Sequence, residues 1–597
     1  MHLPMLESLH AVCIGRRLRK LVLLLLALQI SSAFSADTQV VFLHLNDLHA
    51  HLVPHQDLIR TVGRTGQPVA NTETRGGLAR LATLIKQARE EAPGQTVLMN
   101  VGDTYHGGVE ALYTRGNAVI APVDALGIDI GVPGNWDFAY GPIVTRLRYA
   151  TGSSWLSQLI NTVVYGEAVQ RPAYPLLGGN VRKSLRILLE DEPLLPTTHT
   201  LQVGDIKVGL IGITSDIVPR MSPTLALGFT FLQGHAAYND LINRAAQALR
   251  SQGAQLVVVM SELGIHRDHQ LANSIDPGVD VFFSAHTHEL TTEPLTSTSG
   301  ALLVESGDDA YLGRMTVSFR DAMPVQFHWE LLQVTDDIPE DPAMASLVNA
   351  ARAPFLAEVV HFDYPMPNTD FPLDARIDTV ITESPLTLNR RGVLTNSFNQ
   401  YLAGEMRSYY QTDVALAPGF RFDAVVAPGD AITLETLYRY LPVPATLAKG
   451  NITAANLKAL FEKELTRVFS RDAFQHSGGW FLGVSGLDVE VDLARPDGER
   501  VISMRRAPNG REIAADDVLT VASCVRPLDK PGVLCSGEGF TDVEVLLDPD
   551  GQEWTPLRFL QERLTGHPAQ PPTGRVSDVS NAPIWPIAEF MQPLSNL

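Results

Sequence analysis

The sequence predicts an α/β layered domain followed by a second domain that mixes helices and strands. Three observations carry this. The chain has 597 residues, too many for one hydrophobic core. From residue 39 to about 335, short apolar runs alternate with amphipathic stretches of helical period. Past a Pro-rich passage the order changes: two helices come first, and strand-rich segments follow Gly479.

Ahead of these domains lies an export signal, residues 1–36: basic "GRRLRK", apolar "LVLLLLALQI" and small-residue "SSAFSA". Its apolar run is shorter than the roughly 20 residues that span a bilayer, so no stable membrane insertion is expected after cleavage. The mature chain is therefore expected in the periplasm or secreted. Of three cysteines, Cys13 leaves with the signal, and Cys524 and Cys535 flank a short loop. In an oxidising compartment they should form a structural disulfide, contributing about 2–3 kcal/mol. The net charge of −20 excludes nucleic-acid backbones as partners. It leaves room for small anions where metal ions or arginines reverse the local field.

In the first domain, residues 37–336, the apolar runs are "VVFLHLN" (40–46), "TVLMNVG" (96–102), "IDIGVPG" (128–134), "IKVGLIGIT" (206–214), "AQLVVVMS" (254–261), "VDVFFSA" (279–285) and "ALLVESG" (301–307). They read as largely buried strands. Residues 76–92 and 237–253 read as helices between them. Residues 337–375 read as an irregular connector. The second domain, 376–575, has helices at 396–411 and 453–468, and 576–597 is an extension.

Several strands end in residues suited to hard metals. The first presents Asp47 and His49, the second Asp103, the third Asn135, the fifth Glu262, the sixth His286 and His288. Open α/β sheets gather ligands at the carboxyl ends of their strands, so these side chains can converge. One such residue is an ordinary cap or turn residue; five endings in register point to a metal site. His44 reads as core, and His51, His55, His266 and His269 as outside the site. His106 stays open as a supporting or substrate contact.

Asp-x-His, Gly-Asp, Gly-Asn and His-Thr-His, in this order, resemble the calcineurin-like metallophosphoesterases, and the whole mature chain resembles their 5′-nucleotidase branch. Within it, "NDLHAHLVPH" (46–55), "RGGLARLATLIK" (75–86), "EALYTRG" (110–116) and "WDFAYG" (136–141) are most similar to the SoxB thiosulfohydrolases. The resemblance implies a four-layer α/β/β/α catalytic domain and a 5′-nucleotidase C-terminal-type α+β domain. It implies two divalent ions, manganese by the oxygen-rich ligands, with zinc or iron as alternatives. Asp47, His49 and His288 would hold one ion and Asn135, Glu262 and His286 the other, with Asp103 bridging.

The implied activity is hydrolysis of a sulfur- or phosphorus-centred oxyanion by metal-activated hydroxide. The substrate would be a small anion, or a thiosulfonate on a sulfur-carrier protein, releasing sulfate. Alternatives are a 5′-nucleotidase or nucleotide-sugar hydrolase, and a binding protein with weakened catalysis. The departures bear on this choice. Nucleotidases of the family carry His after Gly-Asn, stabilising the transition state or assisting the leaving group; here stands Trp136, which SoxB proteins share. SoxB proteins usually have His where this chain has Asn135, and Glu262 replaces an expected His. In the second domain Arg421 of "PGFRF" matches the family's anion clamp. Asn396 opens a helix, as N-cap first and ligand second. Phe481 and Phe540 match the positions of rings that stack a base.

Overall fold

A computed structural model describes residues 38–580, except 63–67, 151–158, 160–161, 164–165, 185–190, 364–371, 527–528, 536 and 566–572. The export signal and most of the C-terminal extension lie outside the described residues. No helix among the described residues is long and apolar enough to cross a membrane.

Two sheets stack in the first domain. One runs in the order Met323–Gln333, Tyr311–Arg320, Thr38–Asn46, Thr96–Val101, Ile130–Val132. The other runs Leu295–Thr296, Leu302–Glu305, Val281–Ser284, Leu256–Ser261, Ile206–Ile213, Thr198–Val203. Side chains alternate across a strand. Val40 and Phe42 thus meet Val258 and Phe283 of the facing sheet, while Val41 and Leu43 pack against the helix Leu78–Glu91. On the far side Ile211 and Val257 pack under the helix His235–Ser251. The layers are α/β/β/α, and strands buried on both faces explain the unbroken apolar runs.

The second domain has a five-stranded mixed sheet whose centre is Val414–Ala417, Val518–Val525 and Thr446–Thr453. The helices Ser397–Tyr410 and Ala454–Phe469 stand at the predicted positions. The disulfide Cys524–Cys535 forms beside this sheet.

The expected irregular connector contains a helix, Pro342–Arg352, whose Met344 and Val348 join the first domain's core. Pro342 does not break it. Proline fits a helix's first position, where no N–H is needed, and Asp341 caps the end by accepting from the amide of Met344. The antiparallel pair Tyr311–Arg320 and Met323–Gln333 was absent from the apolar runs because its second strand is mostly exposed or half-buried.

Candidate metal centre and substrate chamber

The strand ends converge where the domains meet. Tight left-handed turns follow three of them: Asp47, His49, Asp103, His286 and His288 all have positive φ, 44–80°. Two glycines make the close approach possible. A Cβ on Gly102 would lie 2.4 Å from a Glu262 carboxylate oxygen, and one on Gly134 would lie 2.2 Å from Asp103.

Asp47, His49 and His288 place one donor atom each within 4.8 Å of one another, as do Asp103, Glu262 and His286. His49 Nε2 faces His288 Nε2 at 3.1 Å, and His288 Nε2 lies 3.3 Å from Asp47 Oδ1. In the other group His286 Nδ1 is 3.4 Å from Glu262 Oε1. The supports are fixed. Asp47 Oδ2 accepts from the His286 amide at 2.8 Å, and His49 Nδ1 meets the carbonyl of His106 at 3.2 Å. Asp137 accepts from the amides of Gly134, Tyr105 and Thr104, pinning the turn that carries Asp103 to the turn that carries Asn135. Sequence reasoning gave Asp137 no role, although an acid beside two glycine turns was the available signal.

The donors fit a pair of divalent cations. Asp47 Oδ1, Asn135 Oδ1 and both Glu262 oxygens are buried without a hydrogen-bond partner. Buried oxygens in that state are expensive unless a cation takes them up. Burial, reinforced by neighbouring acids, holds Asp103 and Glu262 well above the usual carboxylate range, while burial holds His49 and His286 well below the usual imidazole range. Four buried oxygens with crowded charge and neutral imidazoles are the donor set of a metal centre.

A chamber of about 470 Å³ opens from Asp103, Asn135 and His286 between the two domains. Trp136 lines it. Its indole stacks on His106 (5.1 Å between centroids, 16° between planes) and lies 4.8 Å from Phe422 and 6.0 Å from Phe420. Burial keeps the His106 pKa at about 3, so the ring beneath the indole is neutral. Arg421 reaches the centre from the second domain. It donates to the carbonyl of His286 at 2.6 Å, stacks over Trp480 at 4.6 Å, and leaves its buried Nε without a partner.

Three expected contacts are elsewhere. Phe481 is fully buried, 5.8 Å from Phe461, and Phe540 is core beside it; neither lines the chamber. In the irregular segment ahead of the strand Gly483–Ser485, Trp480 and Leu482 line the chamber while Phe481 packs into the core. Phe420, Phe422 and Trp480 form the aromatic wall instead, and the glycines before Phe420 and Trp480 were its only sequence signal. Asn396 is a cap: its side chain accepts from the amide of Asn399 and donates to the carbonyl of Gly392.

This fold and site define a class, the metal-dependent hydrolases. The calcineurin-like phosphoesterase family matches residues 40–290 and the 5′-nucleotidase C-terminal domain matches residues 375–524, together more than half of the chain. The chain belongs to the 5′-nucleotidase-type metallophosphoesterases. It is 23% identical to the Bos taurus 5′-nucleotidase over 81% of this chain and 82% of that one. It is 23% identical to the trifunctional nucleotide phosphoesterase YfkN of Bacillus subtilis over 81% of this chain, spanning only 31% of that longer protein. The solved structure of the Thermus thermophilus sulfate thiohydrolase SoxB matches with a TM-score of 0.70 at 22% identity, over 90% of this chain and 96% of that chain. At that identity the likeness speaks for the fold alone.

Proposed function

We propose that the chain is an exported hydrolase that cleaves a sulfur- or phosphorus-centred oxyanion from a leaving group of low pKa. A protein-bound thiosulfonate, hydrolysed to a thiol and sulfate, is the favoured substrate. The observation that carries this is Trp136. Indole donates one hydrogen bond and cannot give up a proton at accessible pH. Here it is held flat on His106 as a wall of the chamber. An alkoxide leaving group needs protonation at such a place, and a thiolate does not.

Asp47, His49 and His288 would hold one ion, and Asp103, Asn135, Glu262 and His286 the other, with manganese favoured by the oxygen donors. When bound, two such ions activate a water molecule and polarise the oxyanion. The chain does the rest. Arg421, fixed by the His286 carbonyl and Trp480, offers Nε to a substrate oxygen. Asp137 keeps Asp103 and Asn135 in register. Trp136, Phe420 and Phe422 exclude water from the reacting group. The disulfide supports export, since such bonds persist in oxidising compartments.

A 5′-nucleotidase is the second reading, favoured by the family's C-terminal domain and an aromatic-walled chamber wide enough for a base. Turnover of an S-sulfocysteine peptide and of AMP by the manganese-loaded protein separates the two. The proposal expects kcat/KM at least about tenfold higher for the thiosulfonate, a gap of about 1.4 kcal/mol. A preference for AMP would establish the nucleotidase reading.

A further inference from the structure

The segment that supplies Asp47 and His49 continues to two more imidazoles, His51 and His55, which the dinuclear centre does not use. Both turn onto Asp309. His51 Nδ1 lies 2.9 Å from Asp309 Oδ1, and His55 Nε2 lies 3.0 Å from Asp309 Oδ2. The three are 8%, 11% and 3% exposed, and their donor atoms fall within 4.8 Å of one another.

A further feature marks a built site: His51, His55 and Asp309 line a small cavity, about 30 Å³, shared with Asp47, His49 and His288. That volume holds a water molecule or two. The opposite side is cut to fit: a Cβ on Gly76, at φ +74°, would lie 2.8 Å from Asp309 Oδ2 and 3.3 Å from His55 Nε2.

We propose that His51, His55 and Asp309 form a third cation site, selective for a zinc-type divalent ion, beside the dinuclear centre. Two imidazoles and one carboxylate, with a fourth position open to water from the cavity, are a zinc donor set, less oxygen-rich than the neighbouring pair. The surrounding charge admits a cation. Arg390, Arg391 and Arg421 line the cavity against four aspartates, Asp47, Asp308, Asp309 and Asp423, and Arg391 is itself engaged by Asp57, Asp308 and Asp423. Arg439 opposes a cation at both histidines but also acts on Glu435. The ion would tie the turn behind His49 to the loop before the strand Tyr311–Arg320. Asn46 already meets that loop through the carbonyl of Gly307 at 2.7 Å. The inference is independent of the reaction proposed above.

The test is metal analysis of the full-length protein, stripped with chelator and reloaded with zinc. The site predicts one zinc beyond the dinuclear pair in the wild type, and loss of that one ion in His55→Ala and in Asp309→Asn. Asp103→Ala should empty the dinuclear pair yet keep zinc at the triad, which separates this claim from the catalytic one. Diffraction from wild-type crystals at the zinc edge needs no variant to fold and should show an anomalous peak between the three side chains. A wild type that takes up no more than the pair, or crystals without that peak, overturns the site.

Discussion

Asp103 belongs to one ligand group and feels the charge of the other. It sits in the Asp103, Glu262, His286 cluster, accepts from the Trp136 amide at 2.7 Å, and is pushed up by burial and by Asp47. Asp103→Ala should therefore cost most of the bound metal at the dinuclear centre and reduce hydrolysis to background, as metal analysis and turnover will show. On the proposed reading Arg421 acts on the substrate instead. Losing a charge-assisted hydrogen bond of about 1.5–3 kcal/mol should raise KM by about 10–100-fold in Arg421→Ala. Metal content should stay at the wild-type level, because no donor atom of the cluster comes from the second domain. Unchanged KM would remove Arg421 from the substrate site.

The elements carrying Glu262 and His286 are tied together by one buried acid. Asp268, in the helix Ile265–Ala272, accepts from Ser261 and Ser284 at 2.7 Å each, at the ends of adjacent parallel strands. Burial pushes its pKa up to about 7, with the two serines countering. The folded pKa lies above the unfolded value, so the folded state holds the extra proton, and this acid's contribution to stability falls as pH rises from about 4 to about 7. Asp268→Asn should abolish that decline, by a few kcal/mol at most, and thermal unfolding of both proteins across this range measures it. Identical pH profiles would show that Asp268 does not titrate there. At this scale the strand ends were legible, because seven metal-type residues followed apolar runs. The helix Pro342–Arg352 was not: Pro342 looks like a breaker unless Asp341 is recognised as its cap. Nor was the orientation of Trp480 and Phe481 legible. Which of two adjacent rings faces the chamber is set by tertiary packing of a segment that lies outside any strand.

For the whole molecule, arginines join the domains. Arg352, in the helix between them, pairs with Glu110 of the first domain and Glu435 of the second, each at 2.8 Å. Arg391 reaches Asp57 at 2.6 Å and Arg267 donates to the carbonyl of Ala473 at 3.1 Å. Removing one partner of a buried pair leaves an uncompensated charge, typically at about 3–5 kcal/mol. Arg352→Ala should lower the unfolding temperature accordingly, and the chamber, made from both domains, should lose substrate affinity with it. An unaltered melting profile would mean that the pair contributes nothing to domain union. On the proposed reading, Trp136 fits that chamber to leaving groups that need no proton. Rates on aryl phosphates of graded leaving-group pKa, for the wild type and Trp136→His, test it most directly. The wild type should fall steeply as leaving-group pKa rises, and Trp136→His should flatten the slope by rescuing poor leaving groups about 10²-fold or more. A shallow wild-type slope that the histidine leaves unchanged would contradict the account.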